Sequence, residues 1–162
     1  DHGEMLYDRG MQGKQLMYDQ SSKVPLVIRL PEGLDRGRTS DTLVSSLDLV
    51  ATFLDVAGES INICHGESLM PTLNNEVASH RDEVFSEMGA KKMIRRGEWK
   101  YVYHPEREIQ QLFNLVDDPN ELNNQSGSVG VLALEREMRE RLLEWLVETE
   151  AQPTAGLGGR AR

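Results

Sequence analysis

A nearly unbroken apolar run, Val24-Pro25-Leu26-Val27-Ile28-Arg29-Leu30, constrains the fold of this chain more than any other stretch. Closed by Pro31 and Gly33, it is short for a helix and too apolar for a strand with one face in water. It predicts a strand buried on both faces, as in a parallel or mixed sheet, with Pro25 near its start, where a lost donor costs least. A polar, basic loop at Asp35 to Thr39 follows, and Ser45 to Ala57 then reads as a helix. Ser45 and Asp48 make a capping-box-like start, and Gly58 stands where a helix ends. Leu47, Val50, Ala51, Leu54 and Ala57 share one face. A buried strand feeding an amphipathic helix is the order of an α/β layer. Such a strand wants neighbours, and no second one of its kind follows. The isolated chain is therefore expected to leave an edge and an apolar face uncovered, and to dimerise or aggregate as a homo-oligomer.

Beyond about residue 75 the pattern changes. Glu83 to Met88 reads as a short strand, Lys92 to Tyr103 as two strands joined at Gly97, and Gln111 to Leu115 as a fourth, stopped by Asp117-Asp118-Pro119-Asn120. The connections are too short for crossovers, so the sheet is antiparallel. A helix from about Leu132 to Glu148 carries an apolar stripe of Leu134, Met138, Leu142, Trp145 and Leu146, suited to cover one side of that sheet. The predicted fold is an α/β edge segment followed by an α+β subdomain, a small antiparallel sheet packed on a C-terminal helix. The corresponding divisions are 1–75, 76–150 and a glycine-rich tail at 151–162.

Charge removes several function classes. The chain of 162 residues carries a formal net charge of −9, and it has no cationic stripe with which to displace the counterions of a nucleic acid. The same balance disfavours an anionic membrane surface, and the apolar runs are too short for membrane insertion. Cys64 is the single cysteine, so no disulfide can form within the chain, and one thiol does not discriminate periplasm from cytoplasm. The sequence opens on Asp1 rather than methionine, and so reads as a chain cut or processed at that end.

Two places could carry chemistry. In Asp1-His2-Gly3-Glu4 a carboxylate sits beside an imidazole, with a glycine that allows a sharp turn; such a loop can offer two ligands to one metal ion. The same string also reads as a polar chain end. Lys14, after Gly13, can approach an anion as a point charge, or lie solvated on the surface. Glu4, Asp8 and Asp19 could support either place or sit in water. Lys91, Lys92, Arg95 and Arg96 read either as the rim of an anion-binding cleft or as a solvated strand face.

The order of the pieces closely resembles the sulfatase family, within the alkaline phosphatase superfamily. The resemblance runs through Asp1-His2-Gly3-Glu4-Met5-Leu6, Gly10, Gly13-Lys14, Tyr18-Asp19 and Lys23-Val24-Pro25-Leu26-Val27-Ile28. It continues through Val44-Ser45-Ser46-Leu47-Asp48-Leu49, Gly66-Glu67-Ser68-Leu69-Met70-Pro71 and Gly97-Glu98-Trp99-Lys100-Tyr101. Leu112-Phe113-Asn114-Leu115 and Asp118-Pro119-Asn120-Glu121 complete it, so that it covers most of the chain to about Trp145. Three positions depart from the family pattern: Arg9 replaces a frequent histidine, Gln20 replaces an acid, and Lys23 replaces an arginine.

The resemblance implies a sulfuric ester hydrolase, arylsulfatase-like, of which this chain is the C-terminal part. Asp1 and His2 would match metal ligands, usually for calcium, and Lys14 would match the lysine that contacts sulfate oxygens. Calcium takes about six to eight oxygen ligands, so this pair cannot complete the site, and the imidazole leaves Mn2+ or Zn2+ open. The nucleophile, a formylglycine made in a Cys/Ser-x-Pro-x-Arg motif, has no counterpart here, since Pro-x-Arg does not follow Cys64. The expected partners are a sulfated small molecule or sugar sulfate and the missing N-terminal part of the same protein; the fragment alone is expected to be inactive. Two other readings stand beside this one: a phosphonate or phosphate monoester hydrolase of the same superfamily, and a non-catalytic α+β binding module.

Overall fold

The computed structural model describes residues 2–29, 37–61 and 64–150. Four strands form one antiparallel sheet in the order β1-β2-β3-β4: β1 (Glu83–Met88), β2 (Lys91–Arg96), β3 (Trp99–His104) and β4 (Ile109–Asn114). Side chains alternate across the sheet, so register decides its two faces. Phe85, Ile94, Tyr101 and Leu112 lie opposite one another across all four strands, and therefore on one face. The long helix α4 (Leu132–Glu150) closes that face with Met138 and Leu142. The five central side chains are between 0% and 2% exposed, each contributing about 1.5–3 kcal/mol of burial. Trp145 stacks on Phe85 with ring centroids 4.6 Å apart. The helix stripe, the four strands and their antiparallel pairing follow the sequence pattern.

The opposite face carries Met93, Val102, Lys100 and Phe113, and the N-terminal loop packs there through Met17 and Tyr18. Loop and helix thus sandwich the sheet. Short helices α1 (Asp19–Ser22) and α3 (Met70–Leu73), a longer one, α2 (Leu47–Val56), and three single 3-10 turns make up the other described elements.

Two expectations fail in the first half. Val24 to Arg29 is not a strand, and its apolar side chains are exposed, Val27 at 91%. A strand exists only through a paired edge, and no described segment pairs with this one; the four strands hydrogen-bond among themselves. Leu30, Pro31 and Gly33 lie outside the described residues.

The α2 helix forms where expected but buries a different side. Of its predicted stripe Ala51 alone is buried, together with Asp48 and Thr52, while Leu47, Val50, Phe53 and Val56 are exposed. The reason is the chain that crosses it. Thr52 Oγ1 donates to Asp48 O at 2.6 Å and accepts the Leu69 amide at 2.9 Å, docking a returning segment on the polar side. Gly66 makes that crossing close, because a Cβ there would collide with the Leu47 carbonyl. Between Val24–Ile28, Leu43, Leu69 and the sheet at Val84, Met93 and Arg95 lies a groove of about 1260 Å³.

Candidate functional site

Residues 2 to 22 form a loop that braces itself. The Gly3 amide donates to Ser21 O at 2.9 Å, the Met5 amide to Gly13 O at 3.0 Å, and the Tyr7 amide to Met11 O at 2.9 Å. Ser21 Oγ donates to Lys14 O at 2.8 Å, and the Glu4 carboxylate accepts the Gly13 amide. Met5 is 1% exposed and plugs the interior of the loop. Gly3 is fixed by close approach, since a Cβ on it would collide with the Gln20 carbonyl. Backbone amides and carbonyls that a long loop would leave to water are paired here within the loop.

This bracing brings two sequence-predicted site residues together. Lys14 Nζ meets His2 Nε2, and both side chains are exposed. His2 Nδ1 lies 2.7 Å from Gly3 O. A carbonyl oxygen can only accept, so Nδ1 carries the proton and Nε2 presents its lone pair. An imidazole with its second nitrogen held by a carbonyl is the arrangement of a metal-ligating histidine, so His2 fits that role. Asp1 lies outside the described residues. Among the described residues no group of three or more His, Cys, Asp or Glu side chains is gathered as a metal centre.

Below the loop sits a buried ion cluster. Lys100, 1% exposed and second in β3, places Nζ 2.8 Å from Asp19 Oδ1 and 2.7 Å from Glu121 Oε1. Glu121 Oε2 also accepts the Asp19 amide at 2.7 Å. Arg9 stacks its guanidinium 4.0 Å from the Tyr18 ring centroid and donates to Asn120 O. In the same turn, amides of Leu122 and Asn123 donate to Asp118 and hold its carboxyl below the usual range. On the other face of the sheet, burial pushes the Tyr101 phenol up to about 12, and its hydroxyl donates to Gln110 Oε1 at 2.8 Å.

With that geometry, the family assignment rests on one comparison. Residues 7–148 match the family model described as N-sulphoglucosamine sulphohydrolase, C-terminal. The chain belongs to the sulfatase family. It is similar to arylsulfatase K of Xenopus laevis, at 35% identity over 80% of this chain and 27% of that protein. A solved structure of a protein in complex with its substrate, D-glucosamine-2-N,6-O-disulfate, superposes with a TM-score of 0.81 at 27% identity. It covers 95% of this chain and 34% of that one. The phosphonate monoester hydrolase of Silicibacter pomeroyi superposes with a TM-score of 0.83 at 27% identity, over 99% of this chain and 36% of that one. This sulfatase domain spans 25–29% of the length of the first curated relatives it matches.

Several residues of the sulfatase domain have places that their sequence context did not reveal. Arg9, a departure from the family pattern, turns inward onto Tyr18. Cys64 is a half-buried free thiol whose contacts are the Ile61 and Gly66 carbonyls. Lys92 and Arg96 pair with Glu87 and Glu137 at 2.6 Å each, and Arg95 lines the groove. Asp48, legible as a helix cap, is a fully buried hub. Its carboxylate accepts the Ser45 amide at 2.7 Å and the Glu67 amide at 3.0 Å, pairs with Arg81, and lies 3.1 Å from His80 Nε2. Lys100 and Glu121 were missed as a pair. One signal was present: a lysine between Trp99 and Tyr101 in an apolar strand needs a carboxylate partner once the strand is buried.

Proposed function

We propose that this domain contributes part of the active site of a longer sulfuric ester hydrolase, with Asp1 and His2 as metal ligands and Lys14 as the contact to sulfate oxygens. The observation that carries this reading is the convergence of the Lys14 ammonium and the His2 imidazole on one braced loop. Cleavage of a sulfate monoester builds negative charge on the leaving oxygen and on the oxygens of the transferred group. A preorganised ammonium aimed at those oxygens lowers the barrier more than it tightens ground-state binding. His2, with its tautomer set by Gly3 O, would turn Nε2, which here meets the Lys14 ammonium, to a divalent metal, most simply Ca2+, with Mn2+ or Zn2+ as alternatives. Such an ion would supply positive charge to the ester oxygens. The nucleophile, a formylglycine, and the remaining ligands would come from sequence outside this chain.

In this reading residues 1–75 belong to the catalytic α/β domain, with Val24–Leu30 pairing there as a strand, and 76–150 form the C-terminal subdomain. The substrate is a sulfated small molecule or sugar sulfate, which accords with the sulfated glucosamine in the complex of similar fold. A phosphonate monoester is the second reading, favoured by the close superposition on the phosphonate monoester hydrolase. The two share the charge logic of Lys14 and differ in the ester, so a panel of aryl sulfates and aryl phosphonates separates them. In the full-length enzyme, Lys14→Ala is expected to lower kcat/KM by about 30- to 1000-fold, the effect of losing one oxyanion contact worth roughly 2–4 kcal/mol. The melting temperature should hardly change. Unchanged kinetics would remove Lys14 from the site.

A further inference from the structure

Three of the stretches that carry the family resemblance, Tyr18-Asp19, Gly97–Tyr101 and Asp118–Glu121, are far apart in sequence and meet at a single buried ammonium. We propose that Lys100 is a positioning residue: through Asp19 and Glu121 it sets the loop that holds His2 and Lys14. The activity part of this inference rests on the function proposed above; the mechanical part does not.

The path is short and every link is a named bond. Lys100 projects from the start of β3, an interior strand of a sheet whose other face is closed by α4. Its Nζ grips the Asp19 carboxylate at 2.8 Å, while Glu121, itself held by Nζ at 2.7 Å, takes the Asp19 amide at 2.7 Å. Both the backbone and the side chain of Asp19 are thereby fixed to the sheet. Ser22 Oγ lies 3.5 Å from the same ammonium. Within the same helical turn, Ser21 O receives the Gly3 amide and Ser21 Oγ donates to Lys14 O. One rigid strand thus sets the backbone next to His2 and the backbone of Lys14 together.

Stability alone does not account for a lysine here. Taking an ammonium and its carboxylates out of water costs about as much as their attraction returns, and apolar residues replacing the whole cluster often cost no stability. Met93, Val102 and Phe113 already make this face apolar enough for such a set in place of Lys100, Asp19 and Glu121. A hydrophobic contact tolerates sliding, whereas an ammonium that must satisfy two carboxylates admits one placement of the loop. Chemistry on an ester needs that precision, since a displacement of about 1 Å in a positioned group costs on the order of 100-fold in rate.

The test uses the full-length enzyme with Lys100→Met, and Asp19→Asn as a second variant of nearly unchanged size in case the first does not fold. Hydrogen exchange followed by mass spectrometry compares loop 2–22 with α4, which reports global opening. The expected result is exchange about tenfold faster in the loop, over and above any change in α4. With it, kcat/KM should fall on the order of 100-fold. In a Lys14→Ala background, Lys100→Met should cost less than it does alone, because part of its effect passes through Lys14. Loop protection and kcat/KM that stay at wild-type values, with only the melting temperature lowered, would reduce Lys100 to a stabilising residue and overturn the proposal. Full multiplication of the two kinetic losses would overturn it as well. Should Lys14→Ala itself leave activity intact, the functional reading fails, and the exchange data still decide whether Lys100 fixes the loop.

Discussion

The sheet with α4 and the surroundings of α2 are held together by different kinds of contact. Residues 83–150 close an apolar core in which Ile94, Tyr101, Leu112, Met138 and Leu142 are at most 2% exposed. Around α2 the buried residues include Asp48 and Thr52, while Phe53 and Val56 stand at 70% and 68% exposure. The C-terminal half has every partner its pattern asks for within a short length of chain. In the earlier half polar bonds stitch α2 to the segments crossing it, and Leu47, Val50, Phe53 and Val56 of that helix face outward. A hydrophobic core is non-directional and forgiving of detail, while a buried carboxylate with four neighbours fixes geometry and tolerates little change.

That contrast can be broken at three points. The largest effect should come from Leu142→Ala, which opens a cavity in the closed core and is expected to cost about 3 kcal/mol, read as a shift in denaturant midpoint. Hydrogen exchange should accelerate across all four strands together, because the sheet and α4 share one core; loss confined to α4 would mean that the half is less cooperative than its packing implies.

Next comes Asp48→Ala. It leaves Arg81 and the Ser45 and Glu67 amides without their acceptor and should cost about 2 kcal/mol. The opening should be local, in 47–56 and 66–69, with the sheet still protected. Equal deprotection of β3 would show that the polar hub and the apolar core unfold as one.

The smallest effect is predicted for Phe53→Ala in this chain, within about 0.5 kcal/mol, because the ring is exposed. A cost several times larger would mean that something covers the outer side of α2 in solution, and the comparison between halves would fall.

Read from sequence alone, the sheet and α4 were legible because their information is local. Alternation fixes the faces of adjacent strands, turn residues fix their pairing, and the helical period points Met138 and Leu142 at the sheet. The ends of α2 were legible for the same reason. The run from Val24 to Arg29 shows the limit of such reading. Its composition specifies burial, but burial requires a partner that periodicity cannot supply, and among the described residues none is there.

The sequence by itself determined the family, the antiparallel hairpins, the helix stripe and the residue types available for anion and metal contact. Tertiary structure decided which side of α2 is buried, that Asp48 is a hub rather than only a cap, and that Arg9 turns inward onto Tyr18. It also decided that Lys100 gathers Asp19 and Glu121 beneath the loop carrying His2 and Lys14. The physical reason is range. Propensity and periodicity act between residues a few positions apart, whereas a buried charge is satisfied by whichever carboxylates the folded chain brings within hydrogen-bonding distance, however distant they are in sequence.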